Sequence, residues 1–407
     1  MKTLNKSAVF ALFLIFSQCF IVSFAYPWKR IDLRSTSRKG EDLIQAAVSD
    51  PMTNQELETF LKDFTTRCSA ISRLITIGKS VKGFPLYVLE ISNKPGVAEA
   101  KPNIKLVCNI HGDETLGRTL TVGLAEWLCA NYETDSTAKK IVRGSHLYLM
   151  PSLNPDGYAA DSRFNANGVD LNRDFPDHFS DPTCAPTGKE QPETTAMMNW
   201  TQKVQFVSSL AFHGGIYVIN YPWDGTENGR SEYNACPDDK TFIDLSRTYA
   251  RYQPMILTGG FPGGITNGAE WYVIYGSMQD WNYVRTGTME LTAEVGPKTP
   301  PDSQLSSLFG DNLKSMLEFI KKSAFGGVRG RVLTKVGTKL VPLKADIIVK
   351  GNARVSNSGA KFGDYYRPLA PGKYTITVKK AGYKSASVAV VVPRNGKGVI
   401  RNFVLKK

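Results

Sequence analysis

The sequence predicts an α/β domain whose sheet is covered by helices, followed by a small all-β sandwich. Between about residues 55 and 325, short apolar runs typical of buried strands alternate with segments of helical spacing. After residue 326 only short strand-like runs remain, separated by turn residues over about 80 positions. The chain also becomes strongly basic after residue 326, so we predict a domain boundary there.

Each element of the α/β part is predicted from its own pattern. Apolar runs predict strands, and helical spacing predicts two long helices, the second of which ends at Gly326-Gly327. The predicted strands are 86–91, 104–110, 146–150, 207–212 and 289–295, and the helices are 116–132 and 304–325. The predicted sandwich strands are 328–333, 345–349, 374–378, 386–392 and 400–405.

Residues 1–25 have the features of a secretory signal peptide. Two lysines precede an apolar run over residues 8–25, which ends in Ser23-Phe24-Ala25, a small-x-small pattern of the kind that signal peptidase cuts. A membrane anchor is the alternative, although the run is marginal in length for one. We therefore predict a protein that is secreted or resides in the lumen of the secretory pathway.

The cysteines suit that compartment. Six are present, and Cys19 lies in the predicted signal peptide, which leaves an odd number. Cys184 and Cys236 lie in polar, loop-like contexts and are the better candidates for a disulfide, whereas Cys108 is predicted to be a buried thiol. Asn199-Trp200-Thr201 is an N-glycosylation sequon, which would make the chain a glycoprotein if it is used.

The net charge of +13 is unevenly distributed. Residues 326–407 hold 18 Lys and Arg against 2 Asp and Glu, and the signal peptide carries +2, which leaves −5 for the α/β part. Nucleic acid is therefore not the expected partner of the α/β part. The basic segment either binds an anionic surface or polymer, or is a solvated face without a partner.

Two of the histidines after the signal peptide follow predicted buried strands. His111 comes directly after the run 104–110, with Glu114 three residues later, and His213 closes the run 207–212. In α/β sheets, ligand sites lie at the carboxyl ends of strands. Imidazole and carboxylate groups suit zinc, and three protein ligands leave a coordination position open for catalysis. The pattern predicts a zinc site, whereas His146 and His178 are predicted to be structural or exposed.

These residues belong to a series of motifs that runs along the chain. They are Thr76-Ile77-Gly78-Lys79-Ser80, His111-Gly112-Asp113-Glu114, 151–157, 170–177, Gln191-Pro192-Glu193-Thr194, His213-Gly214-Gly215, 220–224, 264–283, 364–367 and 370–374. Together they resemble the zinc metallocarboxypeptidases, within them the regulatory N/E branch that includes carboxypeptidases D, E, M and N. That resemblance covers about residues 55–407 and implies a mixed, carboxypeptidase-like sheet followed by a transthyretin-like sandwich.

The resemblance also implies a role for each matched residue. One Zn²⁺ would be held by His111, Glu114 and His213. The catalytic residues would be Glu294, as general base with Glu290 as its nearby rival, and Arg163, which steadies the oxyanion. The terminal carboxylate of the substrate would be bound by Asn172 and Arg173, and Tyr272 would be the mobile tyrosine that closes over the substrate. A basic terminal side chain would be bound by Asp224 with Gln279.

The predicted function is a secreted zinc metallocarboxypeptidase that removes C-terminal Arg or Lys from peptides or proteins. Two alternatives differ in class: a non-catalytic protein whose basic segment binds an anionic surface, and a zinc enzyme that deacylates small amino acids. We expect peptide or protein substrates with basic C-termini, no nucleic acid, no transmembrane anchor and a monomer. The predicted segments are 1–25 (signal peptide), 26–50 (unassigned), 51–325 (catalytic domain) and 326–407 (sandwich).

Overall fold

The structure is a computed structural model that describes residues 38–407. The predicted signal peptide and the first part of segment 26–50 lie outside the described residues. Residues 38–407 fall within a single compact unit. Among the helices of these residues, none is both long enough and apolar enough to cross a membrane.

An eight-stranded mixed sheet forms the centre of the α/β part, in the order β1-β2-β4-β3-β5-β8-β6-β7. Its strands are β1 (Ser72–Lys79), β2 (Pro85–Ile91), β3 (Asn103–Cys108), β4 (His146–Met150), β5 (Ser208–His213), β6 (Tyr217–Tyr221), β7 (Ile265–Asn267) and β8 (Met289–Val295). The four central strands β4, β3, β5 and β8 are parallel, and antiparallel pairs join β2 and β6 to them. The mixed sheet confirms the predicted fold class.

Helices flank this sheet. They are α1 (Arg38–Ser49), α2 (Asn54–Arg67), α3 (Leu116–Asn131), α4 (Ser136–Gly144), α5 (Pro155–Ala159), α6 (Pro192–Val204), α7 (Asp239–Ala250), α8 (Pro254–Thr258), α9 (Gly268–Trp271), α10 (Met278–Trp281) and α11 (Asp302–Phe325). Helix α1 lies in the segment that the sequence left unassigned, and it packs against α3 and α11.

Residues on the two sides of β3 contact helices on opposite faces of the sheet. Lys105 points to α6, where its Nζ donates to Thr201 Oγ1 over 3.0 Å, whereas Cys108 points to α3. Gly117 of α3 allows the close approach, because a Cβ there would lie 2.8 Å from the Cβ of Phe212 and 3.0 Å from that of Cys108. The strands are therefore buried on both sides, as the apolar runs predict.

The prediction that Cys184 and Cys236 are the better candidates for a disulfide is wrong. Both thiols are free and buried in the core, although the residues around them in the sequence are polar and predicted exposed loops. The disulfide instead joins Cys68, at the end of α2, to Cys129 in α3. Cys108 is free and buried, as predicted.

Replacing Cys129 with Ser should lower the free energy of unfolding by about 4 kcal/mol, because the disulfide closes a loop of 61 residues. Urea unfolding of the wild type and of Cys129→Ser measures this difference. Cys184→Ser is the control, since it removes a buried thiol without opening a loop. An equal loss in both variants would mean that packing, and not the cross-link, supplies the stability.

Two smaller sheets follow α11 and enclose a second apolar core. The first contains β9 (Val328–Val336), β10 (Lys339–Pro342), β13 (Asp364–Arg367), β16 (Val399–Ile400) and β17 (Phe403–Leu405). The second contains β11 (Asp346–Val349), β12 (Val355–Asn357), β14 (Gly372–Lys379) and β15 (Ala386–Val392), in the order β12-β11-β14-β15. Inward-facing residues of both sheets form one hydrophobic cluster, as expected for a β-sandwich.

Candidate metal centre and active site

The sheet register brings the candidate site together. Strands β3 and β5 are parallel neighbours, so His111, three residues beyond the end of β3, approaches His213 at the end of β5. Strand β8 runs parallel on the other side of β5, and its Glu294 is the register partner of His213. Three neighbouring strands therefore deliver these side chains to one edge of the sheet.

His111, Glu114 and His213 form a buried cluster with metal-ligand chemistry. The carboxylate of Glu114 lies between the two rings, with Oε1 3.0 Å from His111 Nδ1 and Oε2 2.9 Å from His213 Nδ1. One ligand atom from each residue can be chosen within 4.8 Å of the others. Burial opposes ionisation of Glu114, but its interactions with His213 and the hydrogen bond with His111 hold its pKa well below its usual range. Two imidazoles and an ionised carboxylate fit zinc and leave a coordination position open.

Asp170 orients the cluster, although the sequence predicted no role for it. Its Oδ1 lies 3.1 Å from His111 Nε2, and its Oδ2 accepts from Arg163 Nε over 2.9 Å. A carboxylate on the far nitrogen fixes the tautomer and the ring orientation of a metal-binding histidine. Asp170 lies within the motif 170–177, so the signal was present in the sequence.

Replacing Asp170 with Asn should weaken zinc binding by about 10- to 100-fold, because the His111 ring loses the group that orients it. Competition with a fluorescent zinc chelator measures the affinity. Asp174→Asn is the matched control, since Asp174 lies in the same motif but accepts from the backbone N–H of Gln191. Equal losses in both variants would count against an orienting role.

Arg163 lies at the rim of the cluster. Its Nη1 is 3.2 Å from His111 Nδ1 and 3.6 Å from Glu114 Oε1, and its side chain is about one-third exposed. The guanidinium is therefore close to the position where charge would develop on a carbonyl oxygen during hydrolysis.

Glu294 is buried, and its Oε2 has no hydrogen-bond partner among the described residues. Burial, together with the nearby charge of Glu114, raises the pKa of Glu294 to about 8. The charge of a zinc ion held by the neighbouring ligands would lower this pKa, so that the carboxylate could accept a proton at neutral pH. The rival Glu290 lies four residues earlier on β8, where it accepts from Asn282 and faces Lys105 at 3.8 Å in the interior. Of the two, only Glu294 lies at the edge of the sheet with the histidines.

The side chains predicted to bind the terminal carboxylate differ in exposure. Arg173 is exposed, forms no ion pair among the described residues, and donates from Nη1 to the carbonyl oxygen of Asn172 over 2.8 Å. Asn172 is buried, and its Oδ1 accepts from the backbone N–H of Met278. Tyr272 follows α9 and is 43% exposed, so its ring is free to approach a ligand. An unpaired guanidinium is suited to bind a carboxylate with two parallel hydrogen bonds.

Asp224 and Gln279 are both buried and contact each other. Gln279 donates from Nε2 to Asp224 Oδ1 over 3.0 Å and to Asn220 Oδ1 over 2.9 Å. Burial raises the pKa of Asp224 to about 6. Gly268 is required beside it, because a Cβ there would lie 2.0 Å from Asp224 Oδ1.

A second buried carboxyl, Asp280, supports this pair, although the sequence predicted no role for it. Its Oδ2 accepts from the backbone N–H of Asp224 over 3.0 Å, and its Oδ1 has no partner within the described part of the chain. Burial and the charge of Asp224 raise its pKa well above the usual range. Asp280 therefore holds the Asp224 backbone in place, and Asp224 carries the charge at neutral pH.

The remaining histidines lie away from the cluster. His146 is buried, with Nδ1 2.9 Å from Glu90 Oε1, which agrees with a structural role. His178 is half-buried and packs between the rings of Phe179 and Trp223. Asn199 of the predicted glycosylation sequon is exposed on α6.

A two-histidine, one-glutamate centre at the carboxyl edge of a mixed sheet defines the chain as a metallopeptidase of the carboxypeptidase fold. The family model described as zinc carboxypeptidase matches residues 57–315. The chain belongs to the zinc carboxypeptidase family, in its regulatory N/E subfamily.

Named relatives place the chain within that subfamily. Carboxypeptidase SOL1 of Arabidopsis thaliana is 48% identical over 357 residues, which cover 87% of this chain and 72% of the relative. Carboxypeptidase D of Mus musculus is 40% identical, with 86% of this chain and 26% of the relative covered. Carboxypeptidase Z of Homo sapiens is 36% identical, with 85% and 59% covered. The chain thus spans about a quarter of the length of carboxypeptidase D.

Solved structures show the same fold. Thrombin activatable fibrinolysis inhibitor is similar with a TM-score of 0.58 and 20% identity, over 69% of this chain and 79% of that one. Carboxypeptidase A from Helicoverpa armigera is similar with a TM-score of 0.57 and 15% identity, over 70% and 79%. At these identities the comparison bears on the fold alone.

Proposed function

We propose that this chain is a secreted zinc carboxypeptidase that releases C-terminal Arg or Lys from peptides or proteins. The observation that carries the proposal is the placement of Glu294 beside His111, Glu114 and His213 at one sheet edge. The exposed, unpaired Arg173 and the buried Asp224 supply the substrate preference. Gln279, the partner of Asp224, also accepts from the backbone N–H of Thr292, two residues before Glu294 on β8, so this pair lies close to the centre.

Each group has a defined task in this proposal. Zinc, when bound, would polarise the scissile carbonyl and favour ionisation of a water molecule. Glu294 takes the proton from the attacking water and passes it to the leaving amine, and Arg163 stabilises the developing oxyanion. Arg173 and Asn172 bind the terminal carboxylate, and Tyr272 closes over the substrate. Asp224, held by Gln279, pairs with the cationic side chain.

The free terminal carboxylate gives the most direct test of this proposal. The purified protein should release Arg from a peptide that ends in Arg, and should not cleave the same peptide when its C-terminus is amidated. A chelator should stop the release, and added zinc should restore it. Cleavage of the amidated peptide would contradict an exopeptidase. Release of the acyl group from N-acyl amino acids, with peptides left intact, would favour the deacylase alternative.

We further propose that the chain reaches the secretory pathway through residues 1–25, acts as a monomer and divides into domains near residue 326. The Cys68–Cys129 disulfide supports an oxidising compartment. Expression of the full sequence in eukaryotic cells should deliver a protein that lacks residues 1–25 to the medium or the lumen. Retention as an uncleaved membrane protein would favour the anchor alternative.

A further inference from the structure

The excess positive charge of the sandwich remains unused by the proposed chemistry. Fifteen of its eighteen Lys and Arg residues are exposed. None of those fifteen forms an ion pair with a carboxylate of the described residues, and the only acidic residues of the sandwich are Asp346 and Asp364. The one ion pair that a sandwich residue forms within residues 38–407, between Arg367 and Asp238 of the α/β part, is buried.

Part of this charge surrounds exposed aliphatic side chains at one end of the sandwich. We call this the distal patch, and it consists of Lys335, Lys339, Lys384, Lys406, Val336, Leu340 and Val404. The four lysines are exposed, and the exposed fractions of the three aliphatic side chains are 61% for Val336, 55% for Leu340 and 47% for Val404.

The strand register places Lys335, Leu340, Val404 and Lys406 on one face, whereas Val336 and its partner Lys339 lie on the other face at the end of the β9–β10 hairpin. Leu340 of β10 is the partner of Lys335 of β9, so both lie on the outer face of the sheet. On the other side of β9, Val404 is the partner of Leu333, and Lys406 follows two residues later on the same face. The backbone N–H of Lys384 donates to the carbonyl oxygen of Lys406 over 2.8 Å, which brings the β14–β15 turn to the same end.

The distal patch lies at the opposite end of the sandwich from the contact with the α/β part. That contact is made by Arg367, whose register partner is Val328 at the start of β9, and by Asn352, which also donates to Asp238. Strand β9 then runs from Val328 to Val336, a distance of about 26 Å at the usual rise of a strand. The distal patch is therefore accessible while the other end is packed against the enzyme.

We propose that the distal patch docks the enzyme on a membrane surface that carries anionic lipids. The cations attract the headgroups, and the exposed aliphatic side chains beside them enter the interfacial region. A soluble polyanion would be attracted by the lysines but would gain nothing from Val336, Leu340 or Val404. Exposed aliphatic residues ringed by lysine thus favour a lipid surface over a polysaccharide.

Vesicle flotation of the full protein tests the proposal. The wild type should bind mixed phosphatidylcholine–phosphatidylserine vesicles and not pure phosphatidylcholine vesicles, and high salt should release it. Lys335→Gln combined with Lys406→Gln should lower the partition coefficient about 25-fold, since each lysine near an anionic leaflet contributes about fivefold. Leu340→Ser should lower it several-fold while leaving binding to heparin unchanged.

The matched control combines Lys350→Gln with Lys373→Gln, which removes the same charge from two exposed positions, one in the turn after β11 and one in β14. This variant should bind vesicles within about twofold of the wild type, because salt-screened charges act over only about 10 Å. All variants should retain the wild-type rate on a soluble peptide, which shows that they fold. Equal losses of vesicle binding in the control and in the distal-patch variants would overturn the proposal. Binding to heparin without binding to vesicles would also overturn it.

Discussion

Glu294→Gln should lower kcat on a peptide that ends in Arg by about 10²- to 10⁴-fold, the usual loss when a general base is removed. Gln keeps the shape of the side chain but cannot accept the proton of the attacking water. Glu294 Oε2 has no partner among the described residues, so the substitution breaks no hydrogen bond to that atom. Zinc content, measured by atomic absorption, should be unchanged because the three ligands remain.

Glu290→Gln is the matched control for this substitution. It is the same change on the same strand, but Glu290 contacts Asn282 and Lys105 in the interior. We expect a lower unfolding temperature and near wild-type kcat for the folded protein. If Glu294→Gln were active and Glu290→Gln inert, the assignment of the general base would be wrong.

Asp224→Asn should lower kcat/KM for a C-terminal Arg peptide by about 10²- to 10³-fold, because a buried cation then loses its paired charge. A peptide that ends in Leu should be affected far less. Asp280→Asn is the matched control, since Asn retains an oxygen for the Asp224 N–H and Asp280 is expected to be neutral already. A loss for Arg in Asp280→Asn as large as that in Asp224→Asn would contradict the assignment of the charge to Asp224.

The pH dependence of KM for the wild type shows whether the charge of Asp224, and not only the shape of its surroundings, recognises the substrate side chain. Because burial raises the pKa of Asp224 to about 6, the carboxylate is ionised above pH 6 and becomes neutral as the pH falls through that value. KM for the Arg peptide should therefore rise below pH 6, relative to KM for the Leu peptide. The ratio of the two KM values cancels titration of the metal ligands. A constant ratio from pH 5 to 8 would mean that the charge of Asp224 does not recognise the side chain.

The buried strands and the metal ligands could be predicted from the sequence because each leaves a local signal. An apolar run of five to seven residues predicts a buried strand, and His111 and His213 each follow such a run closely. Strand β6, the edge strand β7 and the short helices α8–α10 leave no such pattern, since they are short and only partly apolar. Helix α1 was missed because its burial depends on packing against α3 and α11.

The disulfide and the supporting carboxyls depend on the tertiary structure. Cys68 and Cys129 are 61 residues apart in sequence, and only the packing of α2 near α3 brings them within bonding distance. Asp170 and Asp280 act through His111 and through the backbone of Asp224, contacts that no spacing along the chain indicates. Both lie in motifs already singled out, 170–177 and 264–283, so the motifs located them without giving their roles.

The central claim is that this centre removes basic residues from peptide C-termini. The most direct measurement is kcat/KM for a set of peptides that differ only in the last residue, with Arg, Lys, Leu, Phe and Glu compared at neutral pH. We predict that Arg and Lys are released at least about 100-fold more efficiently than the others, as expected for a charge-paired pocket. Release of Leu or Phe at the rate of Arg would contradict the claim.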